Sequence, residues 1–139
     1  MILKNQLYQI ERQQVAEESA TFDVSLNAGC FIYKAHFPGN PITPGVCIVQ
    51  IAKELLEEVV SMPLEISEVK DVKFLSILSP VDYQEVSFRF TDIARQTADD
   101  KPLVVKSEVS VQWNSNVFTT IVFICTAKER KCDGGGTDK

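Results

Sequence analysis

The hydrophobic and polar positions of this chain change period several times, and each change marks an element. Residues 6–15 hold Leu7, Tyr8 and Ile10 among polar neighbours, which predicts a first strand. Residues 19–27 alternate, with Phe22, Val24 and Leu26 on one face and Thr21, Asp23 and Ser25 on the other, the pattern of a half-buried strand. Residues 28–45 are a glycine- and proline-rich connection. From Val46 to Val60 the spacing turns helical. The first half, Val46 to Ala52, is apolar all round except for Gln50, which predicts a buried helix. The second half sets Leu55, Leu56, Val59 and Val60 against Glu54, Glu57 and Glu58. Ser61-Met62-Pro63 ends the helix, because proline disfavours helical backbone in the residue before it.

Everything after the helix reads as strand. Ile66–Phe74 is one, and Val86, Phe88 and Phe90 alternate in the next, after a turn at Ser79-Pro80-Val81-Asp82. Asp99-Asp100-Lys101-Pro102 predicts a second turn. Val105–Trp113 alternates, Asn114-Ser115-Asn116 predicts a hairpin, and Val117–Ala127 is apolar enough to suggest burial on both faces. The order is therefore two strands, one long helix and four strands. Short turns favour antiparallel pairing, and a helix apolar all round needs a sheet to cover it. This predicts an α+β domain over residues 1–128, a curved antiparallel sheet around one long central helix. Residues 129–139, with Gly134-Gly135-Gly136, form a polar tail expected to be disordered.

Composition narrows the function. A net charge of -5 leaves no basic footprint for nucleic acid. Lys34, Lys53, Lys70, Lys73 and Arg89 offer local positive charge for an acidic partner, although solvated surface is the ordinary role of such residues. No apolar run is long enough to span a bilayer and the N-terminus lacks a signal-peptide pattern, so the cytoplasm is expected. Cys30, Cys47, Cys125 and Cys132 lack metal-ligand spacing, so reduced thiols and no metal site are expected; Cys47 and Cys125 fall in apolar runs and read as core. Phe31 and Tyr33 read as core aromatics first, with the lining of an apolar tunnel as the alternative, and Trp113 as a residue of the sheet face.

One stretch carries chemistry. His36 is the single histidine, and it opens His36-Phe37-Pro38-Gly39-Asn40-Pro41-Ile42-Thr43-Pro44-Gly45-Val46. Three prolines and two glycines within the ten residues from His36 to Gly45 restrict the backbone severely. A lone loop histidine is ordinarily structural. Here a stiff loop aims an imidazole, the side chain best matched to proton transfer near neutral pH, at the start of a helix.

The His-Phe-Pro-Gly-x-Pro loop followed by Pro-Gly-Val resembles that of the hotdog-fold 3-hydroxyacyl-acyl-carrier-protein dehydratases of bacterial fatty acid synthesis. The match runs through the motif without a gap and extends more weakly over about residues 6–127, including Val72-Lys73-Phe74 and Pro80-Val81-Asp82. The N-terminal proline-histidine-arginine segment common in those enzymes is absent. The resemblance implies a hotdog fold and a thioester substrate carried on the phosphopantetheine of acyl carrier protein, with no other cofactor. It implies a homodimer whose sites are shared between two chains, with higher assembly possible. It makes His36 the base, Gly45 and Val46 backbone donors to the developing enolate oxygen, and Phe37, Gly39 and Pro44 parts of the substrate-binding frame. An apolar tunnel along the helix would hold the acyl chain.

The resemblance breaks at the acid. Fourteen residues after His36, where the family has a carboxylate, stands Gln50; Glu54, one turn further along, stands where the family often has glutamine. As plain structure, Gln50 is a buried amide that needs partners, and Glu54 the first solvated residue of a stripe shared with Glu57 and Glu58. Three functional readings follow. Glu54, or a water held by Gln50, replaces the acid; His36 serves as both base and acid; or catalysis is lost and the chain binds acyl groups or carrier protein. A dehydratase is the leading expectation, a non-catalytic hotdog subunit the alternative, and a hotdog thioesterase the third. Chain length and pathway are not written in the sequence, although Gln50 favours a specialised lipid or polyene pathway over primary fatty acid synthesis.

Overall fold

The structure, a computed structural model, describes residues 2–35 and 39–128. Its order is β1 (Tyr8–Val15), β2 (Ala20–Leu26), α1 (Phe31–Ala35), α2 (Gly45–Val60), β3 (Leu64–Phe74), β4 (Glu85–Ala98), β5 (Lys101–Trp113) and β6 (Asn116–Ala127). The six strands make one sheet in the order β1-β2-β4-β5-β6-β3, antiparallel throughout. Strands β2 and β3 flank α2 in sequence but stand towards opposite ends of the sheet, so the chain crosses most of the sheet between them. The alternation read in residues 19–27 is borne out: Phe22 and Val24 are fully buried, and the Phe22 and Phe90 rings meet edge-on with centroids 5.9 Å apart.

Helix α2 buries Cys47, Ile48, Ile51, Ala52, Leu55 and Leu56, pairs repeating every four residues along one face. They share a single core cluster with Phe22, Phe88, Phe90, Val109, Val111, Ile121 and Phe123 of the sheet. Two expectations about the helix need correction. It has 16 residues, about 24 Å, so it is not the long helix expected. Ser61, at φ 57°, stops it by taking the left-handed conformation two residues before Pro63. Nor is its first half buried all round: Val46 is 72% exposed and Val49 half-buried. An apolar side therefore stays uncovered in a single chain.

The strand boundaries differ in instructive ways. The β5–β6 hairpin closes on two residues, Asn114 and Ser115, both with positive φ, as a right-twisted two-residue turn requires. Lys101 and Pro102 lie in β5, and the turn before them is only Asp99-Asp100. Strand β6 is not buried on both faces: Ile121, Phe123 and Cys125 are buried, while Val122 and Ile124 between them are half-buried. Helix α1 lies inside the stretch read as connection, and it buries Ile32 and Tyr33 while leaving Phe31 66% exposed, against the core expectation for that ring. Cys47 and Cys125 are buried as expected. Burial pushes both thiols up, Cys125 to about 12, so neither is a ready nucleophile. Cys132 and the tail 129–139 lie outside the described residues.

Candidate functional site

His36, Phe37 and Pro38 lie outside the described residues. The frame on either side of them is described. Gly39, at φ 84°, takes a left-handed turn that a side chain rarely tolerates. Thr43 is anchored by two bonds. Its N–H donates to the Leu78 carbonyl at 2.8 Å, and its hydroxyl meets the Tyr33 hydroxyl at 2.9 Å. Both side chains are buried, and burial raises the Tyr33 phenol to about 12 although the Thr43 hydrogen bond pulls it down. The phenol therefore stays protonated as a fixed strut.

Pro44 is extended and offers no side-chain cap to α2; its carbonyl accepts from Cys47 and Ile48 at 2.9 and 3.1 Å. The N–H groups of a helix's first turn have no partner within the helix. At Gly45 they come with a bare backbone: a Cβ there would lie 2.6 Å from Cζ of Phe74. The glycine thus lets the aromatic ring that ends β3 lie against the helix N-terminus. Ile42, Thr43, Gly45, Ile48, Phe74 and Leu78 line part of an apolar pocket of about 360 Å³ at this point. Gly45→Ala is expected to displace the ring and cost about 1–3 kcal/mol. Thermal melts of Gly45→Ala, Phe74→Ala and the pair check this: the pair should cost clearly less than the sum.

The Gln50–Glu54 pair lies further along α2. Glu54 is 5% exposed, so it is not the solvated first member of a glutamate stripe. Its carboxylate accepts four hydrogen bonds, from the N–H groups of Leu3 (2.8 Å) and Lys4 (2.9 Å), the Tyr8 hydroxyl (3.0 Å) and Nε2 of Gln50 (2.8 Å). All four partners are donors, so this is a seat for an acceptor-only group. Burial, then the charge of Glu54, holds the Tyr8 phenol far above its usual range, so it remains a donor at any working pH. Glu54 therefore fastens the N-terminal segment to the middle of the helix. The spacing of Gln50 and Glu54 was legible in sequence. The roles of Leu3, Lys4 and Tyr8 were not, since they come from some fifty positions away and two act through backbone.

The structure thus brings Pro44, Gly45 and Val46 together at the helix start and joins Gln50 to Glu54 one turn later. Sequence reasoning missed Phe74 and Thr43, which frame the helix start; Tyr33 is buried, as read. Among the described residues no cluster of three or more His, Cys, Asp or Glu could hold a metal ion, and no helix is long and apolar enough to cross a membrane.

A six-stranded antiparallel sheet sharing its core with one main helix, which starts at a glycine, defines a protein of hotdog-like fold. The chain belongs to the ApeI-like family, the ApeI dehydratases, which it matches over residues 12–108. Among solved structures it is similar to a chain of the dehydratase heterocomplex ApeI:P from Xenorhabdus doucetiae, with a TM-score of 0.55 and 16% identity, covering 83% of this chain and 94% of that one. An uncharacterized protein from Erwinia carotovora subsp. atroseptica gives 0.55 and 14%, covering 87% and 97%. A protein from Thermus thermophilus gives 0.55 and 9%, covering 88% and 93%. At these identities the likeness shows the fold alone. No curated protein matches.

Proposed function

We propose that the protein dehydrates 3-hydroxyacyl thioesters carried on acyl carrier protein, with His36 as general base. The observation that carries this reading is the extent of the family match. Residues 12–108 include the whole His36–Val46 run, helix α2 and the Gly45–Phe74 contact. His36 removes a proton from the carbon next to the thioester carbonyl. The electron pair moves towards that carbonyl, whose developing negative charge is met by the backbone donors of Gly45 and Val46 at the helix N-terminus. The carbon–oxygen bond at C3 then breaks, the hydroxyl leaves as water on gaining a proton, and a trans-2-enoyl thioester remains. Pro44, Gly39 and Phe37 frame the loop, and the apolar pocket beside Phe74 suits the acyl portion. The site is shared between two chains, so the working form has at least two.

Glu54 is not the acid in this reading, because four donors already engage its oxygens. Its contribution is to position Gln50. The bond from Nε2 of Gln50 to Glu54 fixes which end of the amide is the donor, so Oε1 is the acceptor end. The proton for the departing hydroxyl is then returned by His36 itself, as a syn elimination permits.

The test is enoyl absorbance with 3-hydroxybutyryl and crotonyl carrier thioesters, comparing the native chain with Gln50→Glu. Turnover by the native chain supports a dehydratase that works without the usual carboxylate. Silence in the native chain with activity in Gln50→Glu would move the reading to a non-catalytic subunit. Gln50→Glu also carries a structural expectation: it replaces a donor to Glu54 by a second carboxylate. Like charges so close raise the affinity of the pair for a proton in the folded state. The variant should be less stable than the native chain at neutral pH, by about 1–3 kcal/mol. The deficit should shrink as pH falls towards the ordinary carboxylate range, because the folded pair then holds a proton that the unfolded chain lacks. Chemical denaturation at several pH values checks the sign.

A further inference from the structure

Three donors from one short stretch converge on a carboxylate that belongs to another element. Oε1 of Glu54 accepts from the Lys4 N–H and the Tyr8 hydroxyl, and Oε2 from the Leu3 N–H and Nε2 of Gln50. Only the last of these donors belongs to α2. The other three come from residues 3–8, between 46 and 51 positions earlier in the chain.

The stretch that carries them is held in one shape. The Leu7 N–H donates to the Leu3 carbonyl at 2.8 Å and the Asn5 N–H to the Tyr8 carbonyl at 2.7 Å, with Asn5 at φ 65°. The Asn27 N–H reaches the Leu7 carbonyl at 2.8 Å, and Tyr8 pairs with Leu26 of β2, so the turn is tied to the sheet. The side chains of Leu3, Leu7 and Tyr8 are buried. A glutamine and a glutamate four residues apart on a bare helix hold each other weakly, and both side chains swing. Here the glutamate is fixed from outside the helix, so its bond to Gln50 has a fixed direction.

That direction bears on chemistry because of where Gln50 stands. It occupies the family's acid position and, half-buried, lines a groove of about 930 Å³ together with Lys4, Lys53 and Glu57. An amide there gives no proton. It can give the departing hydroxyl a hydrogen bond of set direction, which speeds the reaction only if the amide is held. Fastening the N-terminal segment does not by itself call for a carboxylate. An apolar side chain at position 54 would pack among Leu3, Leu7 and the Tyr8 ring without the cost of burying a charge. The carboxylate adds an acceptor for Gln50, fixed by three donors that Gln50 does not supply.

We propose that Tyr8, with the N–H groups of Leu3 and Lys4, positions the active site: these donors clamp Glu54, and the clamped carboxylate holds the Gln50 amide in the orientation it uses on the substrate. Tyr8 is a positioning residue, since it acts through Glu54 and Gln50. Leu3, Lys4 and Tyr8 all precede the matched residues 12–108, so membership of the family does not carry this role. The proposal rests on the dehydratase reading above and deepens it by adding residues to the same site.

The test is a double-variant cycle on kcat with a 3-hydroxybutyryl carrier thioester, using Tyr8→Phe, Gln50→Leu and the two together, at a temperature where circular dichroism shows all of them folded. Tyr8→Phe removes one oxygen and leaves the ring in place. In the native background it should lower kcat about five- to tenfold. In the Gln50→Leu background it should change kcat by less than about twofold, because no amide is left to orient. His36 remains in every variant, so residual turnover stays measurable. A loss caused only by a loosened fold would be equal in the two backgrounds. The side-chain amide of Gln50 gives a second readout without substrate. In isotope-labelled protein its NMR signals are those missing from Gln50→Leu, and Tyr8→Phe should shift or broaden them. Unchanged kcat in Tyr8→Phe, an equal loss in both backgrounds, or amide signals that do not move would overturn the proposal. A silent native chain would count against the dehydratase reading alone, and the amide signals would then decide whether the clamp orients Gln50.

Discussion

His36→Ala is expected to lower turnover of a 3-hydroxybutyryl carrier thioester by about a thousandfold or more, with the thermal melt unchanged. Removing a positioned general base commonly costs two to four orders of magnitude. The effect should reach the upper part of that range, because Gln50 cannot take over a proton and Glu54 is committed to four donors. Progress curves followed at the enoyl absorbance in both directions measure it. Equal loss in hydration and dehydration is required, since one group serves both directions of a single equilibrium. Activity within a few-fold of the native chain would defeat His36 as the base. A variant with a collapsed melt would be replaced by His36→Gln, which keeps a polar group in the loop.

The second large expected effect is on stability. Glu54→Ala strands the N–H groups of Leu3 and Lys4 and the Tyr8 hydroxyl and removes one bond made by Gln50, and three of these four bonds hold the N-terminal segment to α2. An unsatisfied buried donor costs about 1–3 kcal/mol, and bonds to a charged acceptor lie at the upper end. Allowing for water reaching part of the cavity, the loss should be about 3–5 kcal/mol, a fall in Tm of roughly 10–20 °C. Tyr8→Phe removes one bond and should cost about 1–2 kcal/mol. Differential scanning calorimetry of the two variants gives both values. If Glu54→Ala abolished turnover while the melt stayed put, the carboxylate would belong to the chemistry after all, and the anchoring role would be lost.

These two residues show how unevenly the sequence discloses the site. His36 is legible because its neighbours are unusual: prolines and glycines restrict the backbone locally, and local restriction is written in local sequence. Glu54 was misread for the opposite reason. Its position beside Glu57 and Glu58 suggests solvent, and its neighbours in sequence do not show the distant donors that allow its burial. Its partners include two backbone N–H groups and a phenol from the other end of the chain. Backbone donors leave no mark in a sequence, so a carboxylate seated on them looks like any surface glutamate. Phe74 was missed similarly: its contact with Gly45 joins the end of β3 to the start of α2, and only the packed chain shows why that glycine has no side chain.

By itself the sequence determined the six strands and the main helix with their periods, the antiparallel character of the sheet, the proline- and glycine-rich run that begins at His36 and the exchange that puts Gln50 and Glu54 on one helix face. These depend on contacts between near neighbours or on side-chain alternation, both of which one strand or helix records alone. Tertiary structure decided the rest. It set the strand order, which leaves β3 at an edge; the exposure of Val46; the contact of Phe74 with Gly45; and the burial of Glu54. Each of these depends on which distant groups compete for the same space or the same hydrogen bond, and that competition is resolved only when the chain has folded.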